Sequence, residues 1–231
     1  MAKSNKILVI SDTHLSKKFD QDKFDYLKKI IKECDKVIIN GDFWDYYWFT
    51  DFDDFINSEW RQLFPILLEK EAVYVYGNHD PKDKCDDRVN LFSVLQTDRY
   101  DLNIGKSVYR FEHGNRLWQN QKNKSPILDI YTKIILFCEE RDHRLLISFL
   151  TLLGRLGFMT FREKIIFSKS TKELNDKMKH TKRDGWLICG DSHRPEIDND
   201  NMYANSGFIS NGFASYLIIS AEKVILKQEK Y

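Results

Sequence analysis

The stretch ILVISDTH, residues 7–14, decides the fold. Its first half is unbroken Ile, Leu and Val. A strand with one wet face alternates polar and apolar residues, so this one reads as a strand covered on both sides. It stops abruptly in Asp12, Thr13 and His14. Counting this one, short apolar runs rich in Val and Ile fall at residues 6–10, 37–39, 73–76, 108–111, 187–189, 202–204, 216–219 and 224–226. Helical patterns separate most of them. In FDYLKKIIKEC, Phe24, Leu27, Ile30 and Ile31 make one stripe, the spacing of a helix with one buried face. Residues 58–70 are a second candidate, with Pro65 placed to kink or split it. Strands alternating with helices predict an α/β fold with helices on the sheet faces. Toward the carboxyl end the strands are joined by tight turns, SAEK among them, which predicts antiparallel pairing there.

The 231 residues suit one α/β domain over 1–231 carrying an insertion at about 116–183. From 127 to 167 the pattern is mainly helical, with arginines 141, 144, 155 and 162 set among Leu and Phe. Net charge is +1, yet basic residues exceed acidic ones between Gly114 and Asp184 while both flanks are acidic. The four cysteines, Cys34, Cys85, Cys138 and Cys189, show no paired spacing. That argues against a disulfide framework or a thiolate zinc site, and predicts reduced thiols in a cytoplasmic protein. The amino terminus leaves no room for a signal peptide before the first strand. The most apolar segment, 145–161, is too short and interrupted to span a bilayer.

Five strands end in polar residues. The run at 7–11 leads into Asp12 and His14; VIIN into Gly41-Asp42, with Asp45 close behind; VYVY into Gly77-Asn78-His79-Asp80; VYRFE into His113-Gly114; and WLIC into Gly190-Asp191-Ser192-His193. One such place is ordinary turn chemistry. Five are not, and the carboxyl ends of strands are where α/β sheets bind ligands. Four of the six histidines sit here. Imidazole, carboxylate and amide oxygen together suit divalent ions such as manganese, iron or zinc, and this many ligands exceeds what one tetrahedral ion takes.

At these residues the sequence resembles the calcineurin-like metallophosphoesterases. Their blocks are Asp-x-His, Gly-Asp-x-x-Asp, Gly-Asn-His-Asp, a lone His-Gly and Gly-His-x-His, in that order. Four are intact here, and the fifth has Asp191 where the family has a histidine. The resemblance implies a four-layer α-β-β-α sandwich. It also implies two divalent metals, with Mn2+ expected first and Fe, Zn or Mg as alternatives. It assigns Asp12, His14 and His193 to one ion, Asp42 to a bridge, and Asn78 and His113 to the second ion; Asp191 either ligates that second ion too, the outcome favoured here, or falls short of it with its shorter side chain. It makes His79 the general acid and Asp80 the group that orients its imidazole. Asp45 is expected behind a ligand histidine or closing its own loop.

Within that family, GDFWD, FEHGN and a helical insertion before GDSHRP resemble the hydrolases of UDP-2,3-diacylglucosamine. The implied substrate is a phosphorylated small molecule or a lipid-linked nucleotide, with peripheral contact at the inner membrane face. Two residues depart from that subgroup: His79 stands in place of Arg, and Asn115 in place of Asp. The alternatives are a nuclease or cyclic-nucleotide phosphodiesterase, with nucleic acid the less favoured partner because the basic residues are scattered, or a non-catalytic binding module on the same scaffold.

Overall fold

The computed structural model describes residues 6–49, 51–118, 169–221 and 223–231. Strands β1 (Ile7–Ile10), β2 (Lys36–Asn40), β3 (Val73–Val75) and β4 (Leu95–Thr97) pair in parallel, in that order. Next along the chain come β5 (Tyr100–Ile104), β6 (Ser107–Phe111), β7 (Trp186–Cys189), β8 (Glu196–Asp198) and β9 (Tyr203–Asn205). They form a second sheet in the order β5-β6-β7-β9-β8, whose inner pairs are parallel. The chain then returns to the first sheet as β10 (Ile209–Ser210), β11 (Phe213–Ile219) and β12 (Val224–Lys230). There β11 pairs antiparallel with β1, β10 and β12, the hairpin expected around SAEK.

Side chains along β1 explain why the sequence shows no polar alternation. Ile7 and Val9 pack against Tyr109, Phe111 and Ile188 of the second sheet. Leu8 and Ile10 face the opposite way, into the helices α1 (Gln21–Lys32), α2 (Phe52–Asn57) and α3 (Phe64–Glu69). Likewise Ile188 of β7 points between the sheets. Its neighbours Leu187 and Cys189 point outward to Met178 and Leu174 of α5 (Lys169–Lys179) and to Leu117 of the short α4 (Asn115–Trp118). Three apolar layers thus separate four structural ones, helix, sheet, sheet, helix, which is the sandwich expected.

Helix α1 forms where its stripe requires. Asp20 caps it by accepting from the Lys23 N–H at 3.1 Å, and Lys29 and Lys32 occupy the last turn. The 58–70 segment does split: a 3-10 turn covers Glu59–Leu63, and α3 begins with Pro65 in its first turn, where a missing N–H costs nothing. Strands β4, β5, β8 and β10 and helix α2 escaped the sequence reading. Strands β5 and β8 are edge strands, and β5 (YDLNI) alternates buried with exposed, so a search for unbroken apolar runs passes over it. The expected insertion helices at 127–167 lie outside the described residues. Among the described residues no helix is long and apolar enough to cross a membrane, and Cys34, Cys85 and Cys189 are free.

Candidate metal centre

The carboxyl ends of β1, β2 and β3 meet those of β6 and β7 along one edge of the sandwich. Asp12 lies 3.0 Å (Oδ1) from His193 Nε2 and 4.0 Å from His113 Nε2. Asp42 Oδ2 is 3.2 Å from His113 Nε2 and 3.8 Å from His14 Nε2. His14 and His193 turn their Nε2 atoms to within 3.3 Å of each other. Three overlapping donor groups result: Asp12, His14 and His193; His14, Asp42 and His79; Asp12, Asp42 and His113. Asn78 stands in the tight turn whose Gly77 and His79 N–H groups bind Asp80 and Asp42. The Asp191 carboxylate approaches His113 Nε2 at 3.6 Å, outside those three groups.

The backbone is bent to bring these side chains in. Of eight non-glycine residues with positive φ among those described, five belong here: Asp12 (50°), His14 (42°), Asp42 (53°), Asp191 (48°) and His193 (55°). Each costs on the order of 1 kcal/mol, and such strain concentrates at functional sites. Close approach also explains two glycines. A Cβ at Gly190 would lie 2.5 Å from Asp12 Oδ2, and one at Gly77 would fall 2.8 Å from Asp80 Oδ1 and closer still to Asp42.

The sequence matches the model of the calcineurin-like phosphoesterase family over residues 5–195. The chain belongs to that family. No curated protein matches it in sequence. Among solved structures, an archaeal phosphodiesterase aligns over 98% of this chain and 99% of its own, with 15% identity and a TM-score of 0.49. For Yfce, a phosphoesterase from E. coli, the figures are 97%, 98%, 13% and 0.45. For Vps29 from Entamoeba histolytica complexed with zinc they are 97%, 98%, 12% and 0.44. Similarity at this level carries no functional argument here. Family membership supports a hydrolase of phosphoric esters.

The donor set of this phosphoesterase fits a divalent cation. Asp12 Oδ2 and Asn78 Oδ1 are buried and have no hydrogen-bond partner, while Asp12 Oδ1 and His113 Nε2 face other members of the cluster at 3.0 and 3.2 Å. Leaving one such atom unsatisfied costs about 1–3 kcal/mol, and a bound cation would give such an oxygen a partner. The ring nitrogens are also pre-set. His113 Nδ1 bonds the Asn40 carbonyl at 2.9 Å, and His14 Nδ1 bonds Asp45 Oδ2 at 3.1 Å, so both Nε2 atoms face the cluster. Outer partners of this kind orient metal-ligating histidines.

Charges in the phosphoesterase site hold one another. Burial opposes ionisation of Asp12, but His193 and His113 outweigh it and keep the carboxyl below its ordinary range. Asp42 is lowered in the same way, against its burial, chiefly by His113. His113 rises well above the ordinary imidazole value, because Asp42 and Asp12 overcome its burial. His14 falls, since burial outweighs its bond to Asp45. His79 is pushed up to about 9: burial works against the proton, but Asp45 and Asp42 prevail.

Asp80 does not orient His79. Its carboxylate is turned into the backbone, accepting from the N–H groups of Asp42 (3.0 Å), Phe43 (2.6 Å) and Gly77 (2.7 Å). It therefore pins the loop after β2 to the turn after β3, and three otherwise buried N–H groups need that acceptor. The imidazole of His79 is held instead by Asp45, Nδ1 to Oδ2 at 2.9 Å. Asp45 thus performs both of the tasks the sequence offered as alternatives, since its Oδ1 also accepts from the Tyr47 N–H at 3.0 Å. The sequence reading missed Asn40, whose Nδ2 donates to the Glu112 and Ile188 carbonyls and staples the two sheets beneath the site. It also missed Asn175. On α5, Asn175 accepts from Ser192 Oγ at 2.6 Å and from Tyr203 OH at 3.1 Å. An amide closing a strand is the only signal Asn40 sends, and Asn175 sends none.

Proposed function

We propose that this phosphoesterase works with two divalent ions and hydrolyses a phosphodiester or pyrophosphate bond. The convergence of Asp12, His14, Asp42, His79, His113 and His193 in overlapping donor groups carries the reading, and the buried Asp12 Oδ2 and Asn78 Oδ1 without partners support it. In it Asp12, His14 and His193 hold one ion, Asn78, His113 and Asp191 hold the other, and Asp42 bridges. When bound, such a pair neutralises phosphate charge and lowers the pKa of an attacking water toward about 7. The assignment of Asp191 is supported by a repeated turn. Asp12-Thr13-His14 and Asp191-Ser192-His193 share left-handed conformations at both outer residues and bury the central hydroxyl residue. A further carboxylate favours a hard ion, manganese before zinc.

His79 is the proton donor to the departing oxygen. Its Nδ1 is occupied by Asp45, which leaves Nε2 for the substrate, and the Asp45 carboxylate favours the protonated ring. A lipid-linked nucleotide is the finer substrate reading, supported by GDFWD and FEHGN alone.

The test is manganese-dependent turnover of a chromogenic phosphodiester, read together with metal content. Two ions per chain, and loss of one ion with turnover in His113→Ala, are expected. One tight ion that is unchanged in Asp191→Ala would overturn the second site. No turnover of any phosphoester and no bound metal would leave a binding module.

A further inference from the structure

A cleft of about 690 Å³ opens between the loop after β2 and the segment after β3; His79 is not in its lining and is joined to it through Tyr47, which lines the cleft and touches the imidazole. Tyr46 and Tyr47 form one wall, with ring centroids 4.0 Å apart and planes inclined by 32°. The Tyr47 ring meets the His79 imidazole edge-on at 5.1 Å, yet it is 44% exposed. Elsewhere in the aromatic loop Phe43, Trp44 and Phe49 are buried in the core beneath the helices, and Tyr46 and Trp48 are half-buried. Packing therefore does not explain Tyr47.

This platform is fixed relative to the proton donor. The Tyr46 N–H donates to the His79 carbonyl at 3.0 Å. The Tyr47 N–H donates to the same Asp45 carboxylate that holds the His79 ring. A group departing beside His79 meets aromatic surface first. Positive charge in the cleft is outnumbered by carboxylates. The cleft is also lined by Asp51, Asp53, Asp83 and Asp86 against Lys84 and Arg88. Arg88 is bound to Asp86 at 2.7 Å and to Asp53 at 2.5 Å, and the Lys84 ammonium lies 5.6 Å from the centre of the Tyr46 ring. Carboxylates in excess repel a second phosphate, whereas an exposed tyrosine face stacks on a ring at no charge cost.

We propose that this cleft is the leaving-group subsite and takes an uncharged, ring-bearing alcohol. The inference rests on the phosphoesterase reading above and narrows it. The substrate is then a phosphodiester with a nucleoside- or aryl-like departing side, not a pyrophosphate. The bond from phosphorus to that alcohol's oxygen breaks, and a bond from phosphorus to the oxygen of water forms. The departing oxygen takes the His79 proton, and the proton lost by water reprotonates the imidazole or enters solvent.

The manganese-loaded protein would be assayed on three substrates: a dinucleoside monophosphate, the methyl ester of the same nucleotide, and the nucleoside diphosphate. The lowest KM is expected for the first. Stacking contributes about 1–3 kcal/mol per base, so Tyr47→Ala should raise KM for the dinucleoside about tenfold more than for the methyl ester, with kcat changed far less. Tyr47→Phe should restore the difference. Turnover with equal KM for all three, or an equal effect of Tyr47→Ala on the first two, overturns the subsite and leaves the phosphoesterase reading standing. A second readout needs neither metal nor turnover, namely adenosine titrated into wild type and Tyr47→Ala with the tyrosine ring resonances followed by NMR. Ring shifts in wild type that vanish in the variant support the subsite even if none of the three substrates turns over, an outcome that would sink only the hydrolase. No shift in wild type overturns the subsite.

Discussion

Asp45 divides one carboxylate among His14, His79 and the Tyr47 backbone. Replacing it with Asn keeps an acceptor oxygen but removes the charge that raises the His79 pKa. Asp45→Asn is therefore expected to let His79 titrate nearer the ordinary 6.5. Turnover should fall by about 10²–10³ on esters with poor leaving groups, and less on nitrophenyl esters that depart unaided. An NMR titration of His79 and a leaving-group series check this. Asn175 is the other single residue with reach. Asn175→Ala strips the acceptor from Ser192, Tyr203 and Asn205, at a cost of about 1–3 kcal/mol in urea melts. Calorimetry should show weaker manganese binding as well, because Ser192 sits between Asp191 and His193. Cys34 supplies a pH dependence. Burial pushes its thiol up to about 11. Above pH 9 the unfolded chain ionises Cys34 and the folded chain does not, so the unfolded state binds fewer protons. Stability therefore falls as pH rises from about 9 to 11. Cys34→Ala should lessen the fall of the urea midpoint across that window, the rest coming from Cys85 and Cys189, whose thiols burial also raises.

At the scale of elements, α1 and the strand ends do different work. Helix α1 is held by burial of its stripe, so Leu27→Ala, at a fully buried position, should lower stability by about 2–5 kcal/mol. Loss of the Asp20 cap should lower it by only about 1 kcal/mol. Neither side chain touches a candidate metal ligand, and metal affinity measures how much of the effect passes through Lys23 to the loop after β1. The turns after β1 and β7 are strained, and neighbours hold them. Lys23 of α1 donates its Nζ to the Thr13 carbonyl, and Thr13 Oγ1 bonds the Phe43 carbonyl at 2.6 Å. Asn175 of α5 does the equivalent for Ser192. Helices on both outer faces thus brace the loops at the shared edge of the two sheets.

At the scale of the whole molecule, strained backbone and buried polar atoms without partners coincide at this site among the described residues. Strain at five residues and buried polar atoms without partners oppose folding unless a cation is bound. Manganese at about a hundredfold excess over its Kd should therefore add about 2.7 kcal/mol of stability. Thermal melts with manganese and then with chelator check the gain and its reversal. An unchanged Tm would count against the metal centre.

Much of this was legible in the chain alone. Unbroken apolar runs identify strands buried on both faces, the spacing in FDYLKKIIKEC identifies α1, and residues such as Asp12, His14 and His193 announce themselves by type and place. These properties are local: side-chain chemistry and a period of two or 3.6 residues are written in consecutive letters. The tertiary structure alone decided which carboxylate holds His79, that Asp80 serves the backbone, and that Asn40 and Asn175 brace the site from a distance. Direction is the reason. Asp45 and Asp80 are the same residue type, and although Asp80 is the one next to His79 in sequence, only the path of the loops after β2 and β3 determines which carboxylate faces the ring and which faces buried N–H groups.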